Sequence, residues 1–181
     1  MFDSYAIYTQ ANDLVKQCGT RDPGRIARDI GILVLDLEGS PDLLGMYTFR
    51  WNHRIMLLNQ RLYAYMKNMV IAHELGHDQR HRNLAKAEGM KEFTLFNMKD
   101  TTEYEANAFA SHILLDSDEI YSLARQGYNV VQIAQMMNSD INLVLIKLQE
   151  MSQLEYKVSA PMAPNSRFFR NIKGNELPKE D

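Results

Sequence analysis

Cysteine is almost absent from this chain: Cys18 stands alone among 181 residues. No intramolecular disulfide can form and thiolate-rich zinc sites are excluded, so any metal must be held by histidine and carboxylate. Long apolar runs are missing too. No stretch approaches the roughly 18 apolar residues of a membrane span, and "MFDSYAIYTQANDLVKQCG" has neither a positive leader nor an apolar core, which argues against a signal peptide. Charge imbalance is slight, at −3, so neither nucleic acid nor an anionic membrane is attracted without a local basic patch. No repeat and no low-complexity run is present. What remains is the expectation of a soluble, cytoplasmic globular protein, long enough to bury a real core.

Histidine, by contrast, is concentrated. "VIAHELGHDQRHR", residues 70–82, carries three of the five histidines. Between Arg61 and about Arg82 only Gly76 interrupts a helical pattern in which Leu62, Met66, Met69, Val70 and His73 recur. His73 and His77 therefore project from one helix face, one turn apart. Two imidazoles so placed can share a tetrahedral ion at about 2.0–2.1 Å from each nitrogen. Glu74 lies beside the open coordination position, where a carboxylate takes a proton from water activated by the metal. A surface helix with a chance pair of histidines is the bland alternative, and the small or apolar Ala72, Leu75 and Gly76 weigh against it. His81 falls eight residues after His73, a rise of roughly 12 Å, and is expected beside a ligand or at the surface.

A third ligand must come from another element. "EYEAN", residues 103–107, opens a second strong helix pattern in "DTTEYEANAFASHILL". Glu103 and Asn107 share a face there, while Glu105 points roughly 200° away from Glu103. Glu103 is preferred as the metal ligand, with Glu105 the alternative. Asn107 is then placed to accept a hydrogen bond from a ligating histidine and fix its tautomer.

Around these motifs the pattern predicts an amphipathic helix over 4–18 closed by Gly19, and a turn and short helix in "RDPGRIARDIG". A small three-stranded sheet is expected over 32–59. Residues 83–100 are mixed and polar, a loop or short strand. Helices are expected at about 117–126, 129–137 and 140–155. Three units are anticipated: a metallopeptidase domain over 1–121, a helical extension over 122–156, and an extended or disordered tail over 157–181. "GYNVVQIAQMMNSDINLVLIKLQEM" faintly suggests a helix-turn-helix. Asp140 and Glu150 against Lys147 equip it poorly for phosphate contacts, so it reads as a packing pair and direct nucleic-acid binding is not expected.

With these residues in place, the chain resembles the ImmA/IrrE family of metallo-endopeptidases over most of residues 1–120. The resemblance is carried by the N-terminal helix, "DPGRIARDIGILVLDL", "GMYTFRWNHRIMLLN", "VIAHELGHDQRH" and "TEYEANAFASHILL". HELGH alone is shared with many zincins; joined to E-x-E-A-N-x-F-A it is far more specific. The resemblance implies an α+β, gluzincin-like minimal zincin fold: a small antiparallel sheet packed on helices, followed by C-terminal helices. It implies Zn2+ held by His73, His77 and Glu103, with Glu74 as general base. It also implies a helix-turn-helix repressor of a prophage, mobile element or stress response as protein substrate. The competing reading is a non-hydrolytic, zinc-stabilised regulatory module that grips a repressor, DNA or a toxin–antitoxin partner. Asp116 stands where many members carry proline, and His112 is not expected from the pattern. An edge strand near 44–51 is expected to align substrate by β-augmentation, while Tyr104, His112, His53 and tyrosines elsewhere in the chain are open candidates for stabilising an oxyanion.

Overall fold

The computed structural model describes residues 3–154 apart from 39–41, 88, 93–94 and 97–99; the tail expected over 157–181 lies outside the described residues. Helix α1 (Ser4–Cys18) starts where the Asp3 carboxylate accepts the Ala6 amide, and stops at Gly19, whose φ of 63° continues no helix. Helix α2 (Pro23–Asp29) is capped by Asp22 and carries proline in its first turn, where a missing N–H costs nothing.

Strands β2 (Gly45–Arg50) and β3 (His53–Asn59) form a hairpin. Its two-residue turn, Trp51 and Asn52, has φ of 49° and 60°, the doubly positive backbone that matches strand twist. Strand β1 (Leu33–Leu37) pairs parallel with β3, and a short strand β4 (Met90–Glu92) pairs antiparallel with β2, giving the order β1-β3-β2-β4. The α+β class holds, but the sheet has four strands and is mixed, where three antiparallel strands were expected. The tight β2–β3 turn commits those strands to each other and leaves two outer edges; β1 takes that of β3 and β4 that of β2. The mixed stretch after His81 supplies a short helix α4 (Arg82–Ala87) and then β4. Consequently β2 is an internal strand and not the edge anticipated for substrate.

Helix α3 (Ala64–Arg80) runs against the sheet and helix α5 (Thr101–Leu114) packs on α3. Two glycines set how closely. A Cβ on Gly76 would stand 2.7 Å from Ala106 Cα and 3.0 Å from its carbonyl oxygen. A Cβ on Gly45 would stand 2.5 Å from Val70 Cγ1 and 3.0 Å from Glu74 Oε1. So α3 is clasped between β2 and α5 at distances no side chain fits. Asp78 fastens its C-terminal turn. Fully buried, it accepts hydrogen bonds from Tyr47 (2.6 Å), Arg54 (3.2 Å) and Arg82 (3.1 Å), tying α3 to β2, β3 and α4.

Helices α6 (Ser117–Arg125), α7 (Val130–Met136) and α8 (Ile141–Gln153) complete the described chain. Asp116 caps α6 through the Asp118 and Glu119 amides and pairs with Arg21 at 2.7 Å. Arg21 also donates to the His112 and Ile113 carbonyls at the end of α5. Proline could do none of this, which accounts for aspartate here. Helix α8 packs on α5, with Leu143, Val144 and Ile146 buried in the common core. Lys147, fully buried, sits 2.9 Å from His112 Nδ1, and Glu150 accepts from the Tyr104 hydroxyl at 2.6 Å. The basic residue of the faint helix-turn-helix is thus inside the protein. No helix among the described residues is long and apolar enough to cross a membrane.

Two outcomes follow for stability. Gly76→Ala overpacks a backbone contact and is expected to cost about 1–3 kcal/mol, read as a lowered urea midpoint, with weaker binding of a divalent metal as α3 and α5 part. Lys147→Ala leaves a cavity and strips His112 of its partner, an expected loss of about 3 kcal/mol by urea unfolding.

Candidate metal centre

Helix α3 carries His73, Glu74 and His77 inward, and all three are buried because β2 and α5 cover that face. The Nε2 atoms of His73 and His77 lie 3.0 Å apart. The first turn of α5 adds Glu103, whose Oε2 is 3.2 Å from His73 Nε2 and whose Oε1 is 3.6 Å from His77 Nε2. Glu105 turns away, to Arg80 at 2.6 Å and His81 at 3.3 Å. A fourth group was not foreseen: Glu92 of β4 places Oε2 3.0 Å from His73 Nε2. One donor atom from each of His73, His77, Glu92 and Glu103 lies within 4.8 Å of the others. Donors bonded tetrahedrally at 2.0–2.2 Å are roughly 3.3–3.6 Å apart, so the cluster fits one small divalent cation.

Each histidine is oriented from behind. His73 Nδ1 lies 3.0 Å from Asn107 Oδ1, so its Nδ1–H faces the amide and its Nε2 faces the cluster. His77 Nδ1 lies 3.0 Å from His81 Nδ1, and His81 Nε2 reaches Glu105 Oε2 at 3.3 Å. His81 therefore belongs behind His77, one turn on, which its spacing of four from His77 makes legible. The oxyanion candidates lie elsewhere. Tyr104 donates to Glu150, His112 bonds Lys147, and His53 is exposed at the start of β3.

Electrostatically the cluster is crowded with acid. Among the described residues neither Glu74 oxygen completes a hydrogen bond of ordinary geometry. Burial, then the charges of Glu92 and Glu103, push its carboxyl up to about 8, while His73 and, only slightly, the Tyr47 backbone amide oppose the shift. Burial raises Glu103 as well. For His73 burial disfavours the cation, but hydrogen bonds to Glu103 and Glu92 and the charge of Glu74 outweigh it and lift the imidazolium to about 10. His77 is driven well below the usual histidine range by burial and by its two histidine neighbours. A protonated His73 thus does the balancing that a metal ion would do in its place.

Because a ligating imidazole must be neutral, an incoming cation displaces that proton at any pH below about 10. Affinity is expected to rise with pH, by about tenfold per unit for each proton released. Calorimetry of zinc binding at pH 7 in buffers of different ionisation enthalpy should show at least one proton leaving per ion. Proton-neutral binding contradicts the charge assignment.

The IrrE N-terminal-like domain family of peptidases matches residues 27–149. The chain is also similar to "Uncharacterized immunity region protein 2" of Bacillus phage phi105, 30% identical over 142 residues that make up 78% of this chain and 87% of that protein. The matched region contains all four donor residues, Glu74, and the outer partners Asn107, His81 and Glu105, and the chain belongs to the IrrE N-terminal-like peptidase family.

Proposed function

We propose that the chain is a zinc-dependent endopeptidase acting in the cytoplasm, with His73, His77 and Glu103 as metal ligands and Glu74 as catalytic base. The observation that carries the reading is the unpaired, fully buried Glu74 carboxylate set directly beside the histidine–glutamate cluster. A merely structural metal site has no use for such a group, and burying it unpaired is costly. Bound to these ligands, Zn2+ would supply Lewis acidity, polarising a peptide carbonyl and acidifying water toward a pKa of about 7. Glu74, its charged form favoured once a divalent cation sits beside it, would take a proton from the attacking water and hand it to the leaving amine. Asn107, and His81 with Glu105, would hold the two imidazoles in place through that exchange.

The substrate we propose is a helix-turn-helix repressor. What supports it is the family, together with a relative whose name places it in a phage immunity region. A second reading, a zinc-stabilised module that binds without hydrolysis, draws support from Glu92, since four protein donors would leave no coordination position open.

Co-expression with a candidate helix-turn-helix repressor, with zinc assayed, separates the two. Stoichiometric zinc and cleavage that falls about 10²–10⁴-fold in Glu74→Gln, with zinc retained, is the expected result. Repressor that is bound and inactivated but intact, equally by both proteins, favours the second reading.

A further inference from the structure

We infer that Glu92 is a displaceable fourth metal ligand, and that β4 occupies the place of the substrate strand, so that the protein as folded is a latent peptidase. The inference rests on the zinc-peptidase reading above. Three observations carry it. First, β2 is the strand that lies over the catalytic helix, since Gly45 touches Val70 and Glu74 with no room for a side chain. Its outer edge is covered by β4, with Gly45 opposite Glu92, Met46 opposite Lys91 and Tyr47 opposite Met90. The Leu44 amide donates to the Glu92 carbonyl at 2.8 Å. Backbone groups that an extended peptide would use beside Glu74 are therefore taken by residues 90–92.

Second, the Glu92 side chain is not a bystander on that strand. It is buried, 5% exposed, and its Oε2 at 3.0 Å from His73 Nε2 is nearer than Glu103 Oε2 at 3.2 Å. Three carboxylates, Glu74, Glu92 and Glu103, converge on one buried spot, an arrangement that a divalent cation stabilises and that mutual repulsion otherwise opposes. With Glu92 bound the site has four protein donors, the closed form typical of structural zinc; catalysis needs one position open to water and substrate.

Third, β4 is built to leave. It is three residues long and, among the described residues, pairs with β2 alone, at the edge of the sheet. A cavity of about 360 Å3 lies between Met90–Lys91 and the start of α5 at Asp100–Glu103, giving the strand somewhere to move. Release of β4 frees the β2 edge and the fourth coordination position together. An extended segment of the substrate protein is the chemistry that fits both, as a replacement strand with its scissile carbonyl where the Glu92 carboxylate had been.

The test compares full-length wild type with Glu92→Gln and Glu92→Ala, each loaded with Zn2+ or Co2+, with thermal unfolding checking that the variants fold. Zinc affinity is measured by competition with a chromophoric chelator. The Co2+ visible spectrum is titrated with acetohydroxamate, which needs an open position. Both variants are expected to bind zinc at least about tenfold more weakly than wild type, and to respond to hydroxamate at concentrations at least about tenfold lower. Repressor cleavage should be faster in both variants. Equal zinc affinity and equal hydroxamate response in all three proteins overturns the inference while leaving the peptidase reading intact. Failure of every protein to bind zinc overturns both.

Discussion

The approach of α3 to its neighbours at bare-backbone distance is the constraint on which everything else rests. Gly76 meets Ala106 of α5, and Gly45 of β2 meets Val70 and Glu74 of α3. The two contacts lie on opposite sides of one helix, so neither can relax without loosening the other. Because α5 is held this close, Glu103 in its first turn comes within 3.2 Å of His73 and Asn107 one turn later comes within 3.0 Å of the same ring. Because β2 is held this close, Glu74 is sealed from water.

Sealing has an electrostatic consequence. Two histidines and three glutamates share a space in which burial favours proton uptake on Glu74 and Glu103 and the acids favour it on His73, and the groups behind them are arranged to keep the imidazoles pointing inward. Those outer groups are themselves anchored. Glu105 is fixed by Arg80 at 2.6 Å before it meets His81, and Asp78, next to His77, is fixed by Tyr47, Arg54 and Arg82. The network explains why charged residues cluster inside a helix whose hydrophobic pattern is weak: they hold a site together and do not face solvent.

Much of this was legible in the sequence, and the reasons are local. His73, Glu74 and His77 lie on one uninterrupted helix, and helical geometry alone puts them together. Glu103 and Asn107 follow the same rule on α5, and the structure brings both to His73. The boundaries of α6, α7 and α8 were equally local, marked by Asp116, Asn129 and Asp140 at their N-caps. What could not be read was set by tertiary contact. Glu92 sits in a short polar stretch with no periodicity, and only its pairing with β2 turns it toward the metal cluster. The parallel β1–β3 pairing depends on which side of a hairpin a preceding strand joins, a choice no residue in β1 announces. Lys147 and Glu150 entered the sequence reading only as charges weighed against phosphate binding, yet each is buried through a partner on α5 that is remote in sequence. His81, too far from His73 along the axis to share its ion, was expected beside a ligand or at the surface, and it stands behind His77 at 3.0 Å.

The central claim is that α3 and α5 together hold a single metal ion. Anomalous diffraction at the zinc absorption edge, from crystals of the zinc-loaded protein, addresses it without reference to any substrate. One strong peak is expected about 2.0–2.2 Å from His73 Nε2, His77 Nε2 and a Glu103 oxygen. A peak at His81 and Glu105, or no peak between His73 and His77, would contradict it.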